Sequence, residues 1–292
     1  MLVGDPRQLP EIQAGGGYVG LSSRLGRGTL RTNRRQRAGW ERAALARMRA
    51  GRTDDAIDAY LDHGRVVVST TGSDARTRML HDWMNARADQ TTVMLASRVA
   101  DIDHLNAAAR EMLQAQGVIG ADQLTIGPRG FVEGDLVLAL RNDRRLDVLN
   151  GTRAVIEHID EGRRTLRCRG DDQRVLTIPF DYAEQGHLTH AYAMTIHKSQ
   201  GATFDRCFVL AGDQLTKESA YTAMSRGRFG NDLYVVDDDA RVDEAHMTEH
   251  RSQPLDTLRT SVRRSNAQTM AIDHRSPRAP QPGIDDDLGI DI

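Results

Sequence analysis

Residues 192–210 read YAMTIHKSQGATFDRCFVL. An apolar approach delivers Thr195, His197, Lys198, Ser199 and Gln200 in one run that Gly201 ends, and Cys207 to Leu210 then forms a short apolar stretch. Short apolar runs bounded by turn formers suit strands buried on both faces. A cluster of donors at the end of such a strand suits a phosphate or a nucleic-acid backbone. A solvated loop would carry the same residues, and His187, His190 and His197 could be read as a metal set. Their spacing is uneven and no cysteine stands at ligand distance, so no metal is expected.

Upstream of this stretch the pattern is α/β. WERAALARMRAGRTDDAIDAYL, residues 40–61, places apolar residues at helical spacing on either side of Gly51 and predicts two helices. Val66 to Ser69 and Thr92 to Ala96 read as strands, with a helix from Arg76 to Ala88 between them. Asp101 or Asp103 is expected to cap a further helix that runs to Gln116 and stops at Gly117. Such alternation implies a parallel sheet. From Gly120 the texture changes to short strands, at 134–140, 152–159, 165–169 and 174–178, with Asn150-Gly151 as a turn between two of them. These predict a small antiparallel insertion over 121–182. Downstream, Leu215 to Arg226 reads as a helix and Asp232 to Val236 as a last buried strand. The tail at 251–292 gains Pro254, Pro277, Pro280 and Pro282 and an Asp285–Asp287 run, and is expected to be disordered.

Composition limits the functions open to such a fold. The chain has 292 residues, 39% apolar but only 4% aromatic, so base-stacking platforms are scarce. A net charge of −2 means that a nucleic acid would be gripped by a local groove and not by a basic surface as a whole. Lysine occurs only at 198 and 217, all other basic side chains being arginine or histidine. Cys168 and Cys207 match no zinc or redox spacing, and no apolar run approaches the roughly 18 residues that cross a bilayer. A cytoplasmic protein without a membrane partner is the expectation.

Two further segments carry chemistry. Residues 4–10, GDPRQLP, follow the short apolar run Met1–Val3 and place Asp5, Arg7 and Gln8 on a loop after a strand, the edge at which parallel sheets bind ligands. The same residues would also make an ordinary turn. Residues 219–228, SAYTAMSRGR, read as a helix leading to Arg226 and Arg228, a commonplace basic helix end when taken alone.

In this order the three segments resemble motifs III, V and VI of superfamily 1 DNA helicases, in particular the RecD-like and conjugative relaxase (TraA-type) group. LRTNRRQ at 30–36 resembles motif IV, and GDLVLALRNDRRLDVLNGTRAVIEHI at 134–159 is similar to the SH3-like domain that this group inserts before motif V. The likeness covers Leu2 to Val236.

It implies a RecA-like second motor lobe of the P-loop NTPase type at 31–120 and 183–240. The SH3-like insertion would lie at 121–182, and a remnant of the first lobe at 1–30. Gly4, Asp5 and Gln8 would belong to the loop that senses the γ-phosphate, with Gln8 as the sensor. Arg35 and Arg226 would be arginine fingers, although the motif leaves Arg34 and Arg35 open. Lys198, Gln200 and Gly201 would border the nucleotide, Lys198 being able to serve either side, and Thr195, His197 and Ser199 would contact single-stranded DNA. Thr203 departs from the pattern, since many relatives carry Glu there.

ATP and Mg2+ are the cofactors implied for a complete helicase. Residues 1–292 hold no Gly-Lys-Ser/Thr loop, because neither Lys198 nor Lys217 follows a glycine. LYVVDD at 233–238 mimics a magnesium-binding strand but lies after motif VI. A truncated helicase, inactive alone and needing an upstream P-loop or relaxase polypeptide, is therefore expected. An ATP-independent single-strand-binding module and a non-functional remnant are the alternatives.

Overall fold

A computed structural model describes residues 4–5, 7–9, 17–25, 33–236 and 254–265. The expected strand at Met1–Val3 lies outside them, as does 266–292. One short helix, α1 (Gly17–Arg24), precedes the main body.

The body is a five-stranded, all-parallel sheet in the order β1-β12-β11-β2-β10. Its strands are β1 (Val66–Ser69), β2 (Thr92–Ala96), β10 (Ala193–Thr195), β11 (Phe204–Ala211) and β12 (Gly227–Val236). Side chains alternate between two cores, as a period of two requires. Val93, Leu95, Cys207, Val209, Leu233 and Val235 pack on one side, whereas Met94, Ala96, Phe208, Leu210 and Tyr234 pack on the other. Both faces are covered by helices, so neither can be polar. The first face is covered by α2 (Gly39–Arg49), α3 (Thr53–Asp62) and α7 (Lys217–Met224), and the second by α4 (Gly72–Ala86) and α5 (Val99–Ala115).

Gly51 and Gly117 sit at the helix ends read from the sequence, both with positive φ. The start of α5 differs from expectation. Its N-cap is Arg98 with no side-chain cap bond, and Asp101 instead pairs with Arg76 of α4 at 3.0 Å. A carboxylate beyond the first helical position serves the neighbouring helix better than its own N–H groups.

Between α5 and β10 lie a hairpin, β3 (Leu124–Ile126) with β4 (Arg129–Phe131), and an antiparallel sheet in the order β8-β7-β6-β5-β9. The strands are β5 (Leu136–Ala139), β6 (Arg153–Asp160), β7 (Thr165–Gly170), β8 (Val175–Pro179) and β9 (Leu188–His190). A short helix, α6 (Phe180–Glu184), joins β8 to β9, and the insertion has its own apolar core around Phe131, Val137, Ile156, Leu166 and Ile178. Strand β9 lies beyond residue 182 yet pairs with β5, so the antiparallel sheet closes only at His190.

The insertion is fastened where it leaves the main body. Asp135, fully buried, accepts from Arg110 Nε of α5 (2.9 Å), Tyr192 Oη (2.8 Å) and Val132 N (2.8 Å), and His190 lies 3.6 Å away. Burial alone would raise its pKa, but these partners together hold the carboxyl below its usual value.

The expected disorder from residue 251 does not hold throughout. Pro254–Arg263 forms a helix, α8, whose Leu258 and Val262 are buried on the α3/α7 side of the sheet. Arg259 and Arg263 pair with Asp54 and Asp58 of α3. The proline stands at the first turn, where its missing N–H costs nothing.

Candidate functional site

The N-terminal edge of the parallel sheet gathers most of the residues singled out above. Helix α7 ends at Ser225, and its last carbonyls need donors. Arg35 Nη1 donates to Ser225 O at 2.6 Å, and Gln36 Nε2 donates to Ser225 O (3.1 Å) and Gly227 O (2.9 Å). Arg226, 1% exposed, donates from Nε to Thr222 O (2.9 Å), from Nη2 to Ser225 Oγ (2.7 Å) and from Nη1 to Ala202 O (3.4 Å). Arg34 is exposed, which leaves Arg35 as the arginine beside Arg226.

No carboxylate pairs with Arg35 or Arg226 among the described residues. Burial, and then the neighbouring Arg35, push Arg226 down to about 10. Burial lowers Arg35 as well, with Arg228 adding to it. Two desolvated like charges side by side are relieved by an incoming anion. The carbonyl end of a helix offsets part of their repulsion.

A buried polar network, unnoticed in the sequence, holds this pair. Glu41 Oε1 accepts from Asn231 Nδ2 (2.7 Å), Asn231 N (3.1 Å) and Tyr60 Oη (3.2 Å), and Asn231 Oδ1 accepts from Gly227 N at 2.8 Å. Burial raises the Glu41 carboxyl above its usual range despite these bonds. The one signal that could have pointed here is the glutamine directly after Arg35.

The Gly4–Leu9 loop docks on the same helix. Tyr221 Oη donates to Asp5 Oδ2 (3.1 Å), Leu9 N donates to Thr222 Oγ1 (3.1 Å), and Gln8 N closes a turn on Asp5 O (3.2 Å). Burial, with Asp5 adding to it, lifts the Tyr221 phenol to about 12. Gly4 lies under Tyr18, which donates to its carbonyl at 2.6 Å, and a Cβ there would stand 3.0 Å from the ring.

The run that opened the sequence reading is a tight turn after β10. Lys198 N donates to Thr195 Oγ1 (3.2 Å), Ser199 N to Thr195 O (3.2 Å) and Gln200 N to His197 O (3.1 Å), while Gly201 takes φ +83°. Its residues divide between two directions. Gln200 Nε2 reaches Leu9 O at 3.2 Å, toward the Arg35/Arg226 group. His197 and Lys198 are exposed. Burial lowers the pKa of both, and for Lys198 the charged neighbours are Arg129 of the insertion and Asp103 of α5. Of the two sides open to Lys198, its charged neighbours lie toward the insertion and α5.

Ser199 departs from the expectation of a DNA contact. It is fully buried and its hydroxyl donates to Ile196 O at 2.7 Å, so it shapes the turn and presents nothing to DNA. His187 and His190 are engaged by Arg141 and by Gly130 O.

The donors at the α7 end suit the terminal phosphate of a nucleotide. Among the described residues no group of three or more carboxylate, His or Cys side chains could hold a metal ion, and no helix is long and apolar enough to cross a membrane.

Comparison with known proteins supplies the family. Residues 1–71 match a family model described as an AAA domain. The chain is 36% identical over 241 residues to the conjugal transfer protein TraA of Agrobacterium fabrum, a match covering 80% of this chain and 22% of that protein. It is 30% identical over 253 residues to the RecBCD enzyme subunit RecD of Mycolicibacterium smegmatis, covering 78% and 43%. A Bacteroides Pif1 helicase crystallised with ADP-AlF3 and single-stranded DNA aligns with a TM-score of 0.48 at 19% identity, over 70% of this chain and 52% of that one. The chain thus spans about a fifth of the length of its TraA relatives. Over the matched stretch it is a homologue of the TraA conjugal transfer proteins and of RecD, and it belongs to the RecD-like and TraA group of superfamily 1 helicases.

Proposed function

We propose that residues 33–120 and 191–236 form the second motor lobe of an ATP-dependent DNA helicase in the cytoplasm, with 121–190, up to the end of β9, as its inserted domain. The lobe would translocate along single-stranded DNA in partnership with a P-loop lobe supplied from outside residues 1–292. One observation carries this reading: Arg35, Arg226, the Gly4–Leu9 loop and the Gln200 turn all meet at the C-terminal end of α7.

Bound ATP with Mg2+ supplies the phosphoryl group whose transfer to water drives such a motor. Arg35 and Arg226, desolvated and without a carboxylate partner, are suited to stabilise charge that develops on that group. Arg226 would reach it by exchanging its bonds to Thr222, Ala202 and Ser225 for phosphate oxygens. Gln8, a neutral carboxamide, orients water or a phosphate oxygen without taking a proton. The bond from Gln200 to Leu9 O then ties the loop that senses nucleotide to the turn whose Thr195, His197 and Lys198 grip the DNA backbone. The absence of a Gly-Lys-Ser/Thr loop from 1–292 favours a second reading, an ATP-independent single-strand-binding module.

DNA-stimulated ATPase and single-strand affinity, measured on 1–292 alone and on the chain joined to a P-loop lobe, separate the two. The motor reading expects turnover only in the joined protein, lost on Arg226→Ala. Turnover by 1–292 alone would remove the need for another lobe. A salt-dependent single-strand affinity, indifferent to ATP even in the joined protein, would establish the binding module instead.

A further inference from the structure

A cleft of about 490 Å³ opens between the antiparallel sheet of the insertion and the N-terminal edge of the parallel sheet. That volume lies in the range of roughly 300–1,000 Å³ typical of small-molecule sites. Arg153, Arg169 and Asp171 line it from the insertion, and Thr203, Asp205 and Arg228 from the main body.

Arg153 is short of acceptors. Its side chain is only 10% exposed, yet Nε has no hydrogen-bond partner. Nη2 reaches Thr92 O only at 3.5 Å, and Nη1 lies 3.6 Å from Asp171, an ion pair too long for a hydrogen bond. The guanidinium sits 4.9 Å over the Phe204 ring, which holds it in place without accepting its N–H groups as an oxygen would. A guanidinium offers five donors, and buried donors are nearly always satisfied. Here Nε is not, on a side chain that borders open space.

Two of the nearby carboxylates are engaged elsewhere, and Asp171 forms an ion pair without a hydrogen bond. Asp205 Oδ2 accepts from Thr91 N (3.0 Å) and Thr91 Oγ1 (2.8 Å), and Glu157 Oε1 accepts from Arg169 Nε at 2.5 Å. Arg228 stands 3.6 Å from Asp205, again beyond hydrogen-bond length.

We propose that this cleft binds the phosphate group of a nucleotide-sized molecule, with Arg153 as its buried anchor and Arg228 and Thr203 as donors at the rim. The geometry favours a tetrahedral oxyanion over a planar carboxylate. Two guanidiniums and a hydroxyl border the cleft from opposite walls, a donor set able to serve several oxygens at once, whereas a carboxylate is met by a single fork. The space beyond a bare phosphate is bordered by Val155, 40% exposed, an apolar surface for the organic part of the ligand. Neither Arg35 nor Arg226 lines this cleft, although Arg228 is near enough to Arg35 to lower its pKa.

The test titrates the labelled chain 1–292 with inorganic phosphate, with AMP and with a short oligothymidylate, reading the arginine Nε–H resonances. Saturable movement of the Arg153 resonance is expected, with AMP binding about tenfold more tightly than phosphate. Arg153→Gln should weaken AMP by about tenfold or more, and Arg35→Ala should leave it unchanged. If Arg153→Gln loosens the fold, Arg228→Gln and Thr203→Val serve instead, each expected to weaken AMP severalfold. An Arg153 resonance unmoved by saturating phosphate and AMP would show that water serves these donors. Loss of AMP binding in Arg35→Ala would place the ligand at the other arginines, and a response to oligothymidylate but not to AMP would make the cleft a strand contact. Each of these three results overturns the proposal.

Discussion

At the N-terminal edge of the parallel sheet, Arg35 and Arg226 lie together with no carboxylate bonded to either among the described residues. At the C-terminal edge, Arg76 is 3.0 Å from Asp101 and Arg98 is 2.5 Å from Asp213. The same side chain is left without a carboxylate at one edge, half-buried in Arg35 and buried in Arg226, and is paired and partly exposed at the other. Burying unpaired charge costs stability, whereas an exposed ion pair changes little. The first edge therefore holds energy that an arriving anion can release, whereas the arginines of the second already have carboxylates beside them. A fold keeps the costly arrangement only with support from below, and the Glu41–Asn231–Gln36 network is that support.

The largest effect expected from this contrast is catalytic. In the protein joined to a P-loop lobe, Arg226→Ala should lower kcat for ATP hydrolysis by about 10³–10⁵-fold, with Arg35→Ala in the same range, as steady-state turnover at saturating ATP and DNA would read. Equivalent losses from Arg76→Ala would erase the distinction between the edges. Next in size is the support: Asn231→Leu strands Glu41 and the Gly227 amide in the interior and should cost about 3 kcal/mol in urea unfolding.

Glu41 adds a pH signature. Its folded pKa lies above the ordinary 4.5, so the folded state holds that proton more tightly than the unfolded one. Stability contributed by the protonated form is present below 4.5 and is lost as pH rises through the raised value. Glu41→Gln should remove that decline, which unfolding curves across the interval would reveal as a flatter profile. The smallest effect belongs to the paired edge, where Arg98→Ala should cost less than about 1 kcal/mol, reduced further in high salt.

Much of the fold could be read because its signals are local. Gly51, Gly117 and Asn150-Gly151 mark breaks that depend on their own backbone, and the β2 and β11 runs are apolar because both sheet faces are covered. What escaped depends on partners distant in sequence. Helix α8 rests on three apolar positions, Leu255, Leu258 and Val262, and on arginines whose acidic partners lie some two hundred residues upstream, at Asp54 and Asp58. Strand β9 is three residues of mixed character that become a strand only beside β5. At the site, the resemblance named Arg35 and Arg226, but it could not show that Ser199 turns inward or that Lys198 faces Arg129. Side-chain direction within a turn is set by which hydroxyl finds which carbonyl, and residue order does not record that.

Only Ala191 and Tyr192 separate β9, the last strand of the insertion, from β10, the strand that ends in Thr195. Two residues span at most about 7 Å, and Tyr192 is already tied to Asp135. The joint has no slack: it works as a crank and not as a tether. Under the proposed function, a load that tilts the insertion would pass through these two residues and β10 to the Thr195 turn, a lever in series with the strand contact proposed there.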